Sequence, residues 1–315
     1  MQTIHETLAA LKLGEAVGLH NLLVFPLMAD GASEPGYLTL DEALEGGHAR
    51  VTETSEAGHV PELRFENDSA FKILLVDGEE LVGAKQNRVL NLTILVGAGQ
   101  KLTIPVSCVE AGRWSYRSHR FGSAKRKLFA KARAAKLRSV SANLRERGMR
   151  TSDQSRVWQD IAEKAEFLDV ASETGAAGDI YEQRQAELAD YEQAIEARPG
   201  QAGAVFAIGG RVVGAELFDS PATFAKHLKT LVSSYALDAM VEPPAPGVPV
   251  GLEQVRAFLR RMEQTAVRRV NALGEGEDLR LSGEGLEGGA LYAEGRIVHL
   301  CAFDVEPETE AEQFE

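Results

Sequence analysis

Three consecutive stretches decide how this chain reads: Leu90-Asn91-Leu92-Thr93-Ile94-Leu95-Val96, the loop Gly97-Ala98-Gly99-Gln100-Lys101, and Leu102-Thr103-Ile104-Pro105-Val106-Ser107-Cys108. Apolar residues take every second place in both arms, the period of half-buried strands joined as a hairpin. A five-residue loop pairs 96 with 102 and 90 with 108, so both apolar sets share one face; a four-residue loop would set them on opposite faces. The other face carries Asn91, Thr93, Thr103 and Ser107. If the strands continue without a bulge, that face extends to Lys85, Asn87 and Arg113, while Gln86, Arg88 and Cys108 look away. Such a polar face is either a binding surface or merely wet, since antiparallel sheets commonly leave one side in water.

Outward from this hairpin, residues 22–28, 37–40, 51–54, 63–66 and 71–76 read as further strands, and Asp77-Gly78 as a hairpin turn. The apolar strand, glycine turn and apolar strand of residues 74–84 recur at 205–215 and 289–298. Duplication and convergence on a good hairpin explain this equally well. Helical spacing is expected over 6–16, 123–147, 180–197 and 252–270. The stripe Phe129, Ala132, Leu137, Val140 and Leu144 gives the second of these an apolar side, and Gly148 ends it. Thr151-Ser152-Asp153 caps a helix through Val157, Trp158 and Ile161, and Asp219-Ser220-Pro221 starts one containing Phe224, Leu228 and Tyr235. The expected class is α+β: a β-rich N-terminal sheet or sandwich over 1–120, a basic helical segment over 121–200, and an α+β hairpin-helix region with further antiparallel strands over 201–305. Residues 242–249 read as a stiff linker and 306–315 as an acidic tail.

At 315 residues, 44% hydrophobic and 26% charged, the composition is that of an ordinary soluble protein. It has no long apolar run and no secretory start, so a cytoplasmic location is expected. Cys108 and Cys301 are too few for a disulfide framework and read as buried free thiols. The net charge of -13 hides an asymmetry: residues 113–150 hold 13 Lys and Arg against Glu146 alone, leaving 21 basic against 46 acidic residues elsewhere. A confined basic patch suits one anionic ligand or an acidic protein surface; nucleic acid and membrane are not the expected partners.

The seven histidines never form a two-ligand spacing, no standard nucleotide motif is present, and neither a metal nor a cofactor is expected. What stands out is Lys85-Gln86-Asn87-Arg88 together with Pro105-Val106-Ser107-Cys108-Val109-Glu110-Ala111-Gly112-Arg113-Trp114. Lys85, Arg88, Arg113, Arg117 and Arg120 supply charge for a phosphate. Asn87, Asn91 and Ser107 suit sugar or amide groups, and Trp114, with Tyr116, offers a stacking face for a base. Glu110 is the candidate general base, although a carboxylate among arginines is more often an ion-pair partner.

With those two words and Ser152-Asp153-Gln154-Ser155-Arg156-Val157-Trp158, the chain resembles the bacterial domain family named for its association with ADP-ribosyl-glycohydrolases and rhodanese-phosphatases, over most of residues 10–240. The resemblance implies a link to ADP-ribose-like or NAD-derived metabolites and carries Lys85, Gln86, Asn87, Arg88, Glu110, Arg113, Trp114 and Gln154 over as motif positions, without a catalytic assignment. The expected function is binding or processing of a phosphorylated ribosyl or nucleotide metabolite. The expected ligand-binding residues are Lys85, Asn87, Arg88, Asn91, Ser107, Arg113, Trp114 and Arg117. The alternative is a non-enzymatic interaction module whose basic helix docks an acidic partner or the chain's own tail.

Overall fold

The computed structural model describes residues 2–31, 34–55, 61–115, 117–243, 250–283 and 285–305. Helix α1 (Gln2–Ala9) is followed by β1 (Leu11–Leu13), β2 (Val17–Leu19), β3 (Leu22–Ala29) and β4 (Tyr37–Thr39). Thr39 then caps α2 (Leu40–Glu45), its hydroxyl and Glu42 forming a capping box. Next come β5 (Ala49–Glu53), β6 (Glu62–Asn67), β7 (Lys72–Leu75), β8 (Glu79–Gly83), β9 (Arg88–Leu90), β10 (Ile94–Val96), β11 (Lys101–Cys108) and β12 (Phe121–Lys127). Helices α3 (Ala130–Arg147), α4 (Gln154–Phe167), α5 (Ala177–Gln183) and α6 (Gln185–Ala194) follow, then the hairpin β13 (Gln201–Ile208) and β14 (Arg211–Phe218). The chain continues through α7 (Pro221–Ala239), α8 (Leu252–Gln264), β15 (Ala266–Asn271), β16 (Glu277–Gly283), β17 (Leu286–Ala293) and β18 (Arg296–Asp304). The fold is α+β with predominantly antiparallel sheets, as expected.

Among the described residues three sheets form. A nine-stranded sheet runs β1-β3-β13-β14-β18-β17-β16-β15, with β2 also on β3, so strands from both ends of the chain share one layer. Its two faces bury separate cores. One includes Phe206, Tyr235, Leu237 and Phe303, and the other Phe25, Val255, Leu281 and Leu300. The six-stranded sheet β12-β8-β9-β11-β6-β5 closes a third core with the three-stranded sheet β10-β7-β4, where Leu90, Leu92, Ile94, Val96, Ile104 and Val106 meet Phe65 and Leu75. The alternating apolar face therefore points inward as its period requires.

The hairpin itself forms differently from the reading above. Strand β11 pairs with β9, but Leu90 faces Val106 and Arg88 faces Cys108, two residues away from the expected register. A shift of two leaves every side chain on its own face, so the apolar alternation fits both pairings equally. Residues 91–93 carry the chain into another sheet, where Ile94–Val96 pairs with Ile73–Leu75, and Lys101–Pro105 pairs with β6 instead. Asp77-Gly78 likewise connects two sheets and makes no hairpin: β7 pairs with β4 and β10, β8 with β9 and β12. Of the three repeated segments, those at β13-β14 and β17-β18 are paired hairpins.

Residues 121–127 are an edge strand on β8, and the expected helix over 123–147 begins only at Ala130. Its apolar stripe is buried as expected, and Gly148 ends it in the left-handed conformation. The basic side of this segment is solvated only in part: Lys125 and Lys131 are exposed, while others turn inward. Lys127, Arg133 and Lys136 are buried, with Arg133 2.7 Å from Glu216 and Lys136 2.5 Å from Asp77. The positive charge expected to meet an acidic partner thus meets, at these three positions, acids of the same chain. Of the helix expected over 6–16 only residues 6–9 are helical, as the end of α1, and strand β1 occupies 11–13; those expected over 180–197 and 252–270 are the pair α5-α6 broken at Arg184, and α8 followed by β15. Most of the expected linker, the acidic tail and Tyr116 lie outside the described residues. No described helix is long and apolar enough to cross a membrane.

Candidate functional site

Lys85-Gln86-Asn87 is the tip of the hairpin joining β8 to β9, in which Leu81 faces Arg88. The turn is forced open at its start: Gly83 has φ 131° and Ala84 φ 37°. A side chain at Gly83 would sit 2.6 Å from Ser118 Oγ and 2.7 Å from the Arg120 carbonyl, so only glycine fits. Arg113 holds this turn. Its Nη1 donates to the Ala84 and Ser115 carbonyls, both at 2.8 Å, and its Nη2 to Asn87 Oδ1 at 3.1 Å and the Gly83 carbonyl at 3.3 Å. Arg113 is buried, and its remaining partner is Glu110 Oε2 at 2.7 Å. The expected ligand-gripping arginine is a structural clamp.

Glu110 is buried beneath it and accepts hydrogen bonds from the Asn87 backbone N–H at 3.1 Å and Thr174 Oγ1 at 3.1 Å, with Arg117 3.8 Å away. Burial alone would raise its pKa, but Arg113 and these donors outweigh burial and hold the carboxyl below its ordinary range. A carboxylate held ionised in this way orients and neutralises; it is poorly placed to be a proton donor.

The open turn divides the candidate residues between two sides. Asn87 faces a cleft with Glu110. Lys85 and Arg88 lie on the other side, against Trp114, with Lys85 Nζ 5.2 Å and Arg88 Cζ 5.8 Å from the centre of its ring. Arg88 is fully buried; Nη1 donates to Gln86 Oε1, while Nε and Nη2 make no hydrogen bond among the described residues, and burial pushes its pKa down. Trp114 is half exposed and lies outside the cleft lining, so its expected role of stacking a base there has no geometric support.

Asn91 and Ser107 are buried rather than wet or ligand-facing. Ser107 Oγ donates to Asn91 Oδ1 at 2.6 Å and lies 2.5 Å from Ser152 Oγ, and Asn91 Nδ2 donates to the Arg150 carbonyl. Gln154 pairs with the backbone of Cys108 in both directions, accepting from its N–H at 2.7 Å and donating to its carbonyl at 2.8 Å. Gln86 Nε2 donates to the Glu110 carbonyl. The three sequence words therefore meet at one place, held together mainly through buried side chains and backbone groups.

The cleft measures about 810 Å³. One wall is Gly83, Asn87, Glu110 and Arg117 with Ser123 and Arg126 of β12; the other is Glu173, Thr174, Gly178, Asp179, Glu182 and Gln183. The walls are joined where Gly112 N–H donates to the Thr174 carbonyl and Ala177 N–H to the Val109 carbonyl. Arg126 pairs with buried Glu80 at 2.6 Å and lies 3.5 Å from Glu182; its guanidinium fits over Gly178, whose missing side chain would otherwise overlap it. Sequence reasoning missed this second wall. Its available signal was Ser172-Glu173-Thr174-Gly175-Ala176-Ala177-Gly178-Asp179, a small, polar and acidic run between two helical patterns.

No curated protein and no solved structure matches this chain. A family model does, over residues 10–303, a longer stretch than the words alone suggested. The strained turn, the Glu110–Arg113 pair and the cleft wall all lie inside the matched stretch, and the chain belongs to the ARG and rhodanese-phosphatase-superfamily-associated protein domain family.

Proposed function

We propose that this chain binds a phosphorylated ribosyl or nucleotide metabolite, of the ADP-ribose or NAD-derived kind, in the cleft between the β8-β9 turn and residues 171–183. The cleft carries this reading. Its volume of about 810 Å³ lies within the range of small-molecule sites, and polar groups converge on it from both walls. Arg117, exposed over 62% of its side chain, offers a guanidinium fork for a phosphate at the mouth. The family's named association with ADP-ribosyl-glycohydrolases points to the same metabolites.

A thermal-shift series with ADP-ribose, nicotinamide mononucleotide, ribose 5-phosphate and inorganic phosphate tests the proposal. At least one of the ribosyl phosphates raises the melting temperature, since a ligand that binds only the folded state stabilises it. Arg117→Ala removes the shift and leaves the melting point of the free protein nearly unchanged, because this side chain is largely in solvent. Absence of a shift across the whole panel overturns the reading. Arg113→Ala is the wrong probe, because its buried guanidinium supports the turn itself.

A further inference from the structure

We infer that the cleft takes the hydroxyl-bearing ribosyl end of its ligand, with Asn87 as a fixed hydrogen-bond donor and the carboxylates of the opposite wall as acceptors, leaving the phosphate to Arg117. This rests on the binding reading above and narrows it.

Asn87 carries the inference. Only 5% of the residue is exposed, yet it lines the cleft. Its carboxamide cannot be turned the other way. Oδ1 accepts from Arg113 Nη2 at 3.1 Å and from the Gly83 N–H at 3.3 Å, and a guanidinium and a backbone N–H can only donate. The oxygen is therefore bound to the protein, and the hydrogen bonds that the Asn87 side chain makes among the described residues all go to Oδ1, which leaves Nδ2 as the group to offer. A donor on an almost buried residue that lines a cleft asks for an acceptor on the ligand.

The charges around it decide which acceptor. Glu110 is neutralised by Arg113, and Arg126 by Glu80 and Glu182, so the carboxylates of Glu173 and of Asp179, whose Oδ2 accepts from Ser172 Oγ, remain on the other wall, with Arg117 as the exposed cation. A phosphate pushed to the floor would accept from Asn87 but meet like charge on the far wall. A hydroxyl satisfies both sides: its oxygen accepts from Nδ2 and its proton goes to a carboxylate. Arg113 acts as a positioning residue, since it sets the carboxamide without facing the cleft.

The test compares two ligands by calorimetric titration of the full chain. Ribose 5-phosphate is set against tetrahydrofurfuryl phosphate, which keeps the five-membered ring and the phosphate but has no ring hydroxyl. The wild-type protein binds ribose 5-phosphate about tenfold more tightly or better, the discrimination expected of a site built to hydrogen-bond a hydroxyl. Asn87→Asp keeps an oxygen for Arg113 and removes the donor; Asn87→Ala removes both. In each variant the ratio between the two ligands falls to near one, whatever happens to phosphate affinity in general. Equal wild-type affinity for the two ligands overturns the inference and leaves the binding reading intact, as does a ratio that survives both substitutions. Failure of both ligands to bind at millimolar concentration overturns this inference, whereas the binding reading falls only if ADP-ribose and the rest of the thermal-shift panel fail as well.

Discussion

Replacing Arg113 by alanine should destabilise the protein far more than the loss of an ordinary arginine, because of what the guanidinium leaves behind. Four acceptors lose a donor, the carbonyls of Gly83, Ala84 and Ser115 and the side-chain oxygen of Asn87, of which Asn87 keeps the Gly83 N–H and Ala84 the Arg117 N–H. Glu110, with 1% of its side chain exposed, loses an ion-pair partner at 2.7 Å and keeps only the Asn87 N–H, the Thr174 hydroxyl and a distant Arg117. A surface pair would be worth about 1 kcal/mol at most. Removing one member of a buried pair costs about 3–5 kcal/mol, chiefly because the other charge is stranded. With a urea m-value of about 3 kcal/mol/M, the unfolding midpoint should drop by about 1 M or more, followed by the fluorescence of Trp114 and Trp158. Adding Glu110→Gln to Arg113→Ala should cost less than the two changes summed, a coupling of about 0.5–3 kcal/mol.

The pH dependence has a definite sign. Burial raises the pKa of Glu110, but its partners hold it below the ordinary value of 4.5. A carboxyl with a depressed folded-state pKa stabilises the protein above its unfolded pKa, and this contribution is lost as pH falls through the folded one. Arg113→Ala removes it, and acid then relieves the stranded charge in the variant. The gap between wild type and variant is therefore widest above about pH 5 and closes toward acid. A gap below about 1 kcal/mol at pH 7, or one that is constant from pH 3 to 7, would refute the clamp.

The buried pair between Arg133 and Glu216 gives a second acid-sensitive contribution. Glu216 is fully buried, and although burial opposes ionisation, Arg133 and His299 bring its pKa down to about 2. Glu216→Gln should cost about 3–5 kcal/mol near neutrality, a loss that shrinks as pH falls from about 4.5 toward 2; a loss independent of pH over that window counts against the pair. For the cysteines, burial pushes both thiols up in pKa, so neither Cys108 nor Cys301 should react with a thiol reagent at pH 8 until denaturant is added, when two equivalents appear. Reaction of either in the native protein would show that its site opens.

Local patterns were legible where one physical cause acts over a few residues. Period-two alternation correctly places Leu90, Ile104 and Val106 in a core, the 3.6 period correctly buries Leu137 and Val140, and Asp153 and Ser220 cap the helices they precede. The pairing of β11 was not legible, because a shift of two costs nothing in alternation and the switch between sheets at residues 91–93 leaves no compositional mark. The buried charges were invisible for a different reason. Lysine and arginine almost never go fully inside unless paired, and here the pairing spans long separations, Lys136 with Asp77 and Arg133 with Glu216. Gly78 belongs to the same arrangement: at φ 80°, it leaves room for Arg133, whose side chain passes 2.6 Å from where a methyl group would stand.

The same distinction separates motif from contact at the candidate site. Most of the residues that make the three words distinctive are turned toward the protein: Gln154 onto the backbone of Cys108, Ser152 onto Ser107, Gln86 and Arg113 onto the Glu110 segment. Of the residues expected to touch a ligand, Asn87 and Arg117 line the cleft, together with Glu110. A strained turn such as Gly83-Ala84 persists only when its surroundings over-determine it, and the buried network supplies that determination. The words thus encode the support of the turn that carries Asn87 to the cleft, while the other wall is drawn from plainer sequence around Thr174 and Asp179. Variants in the words should accordingly act through stability and through the orientation of Asn87, and variants at Arg117 or Glu173 chiefly through ligand affinity, whereas Asp179, which accepts from Ser172 Oγ in the first turn of α5, should affect both.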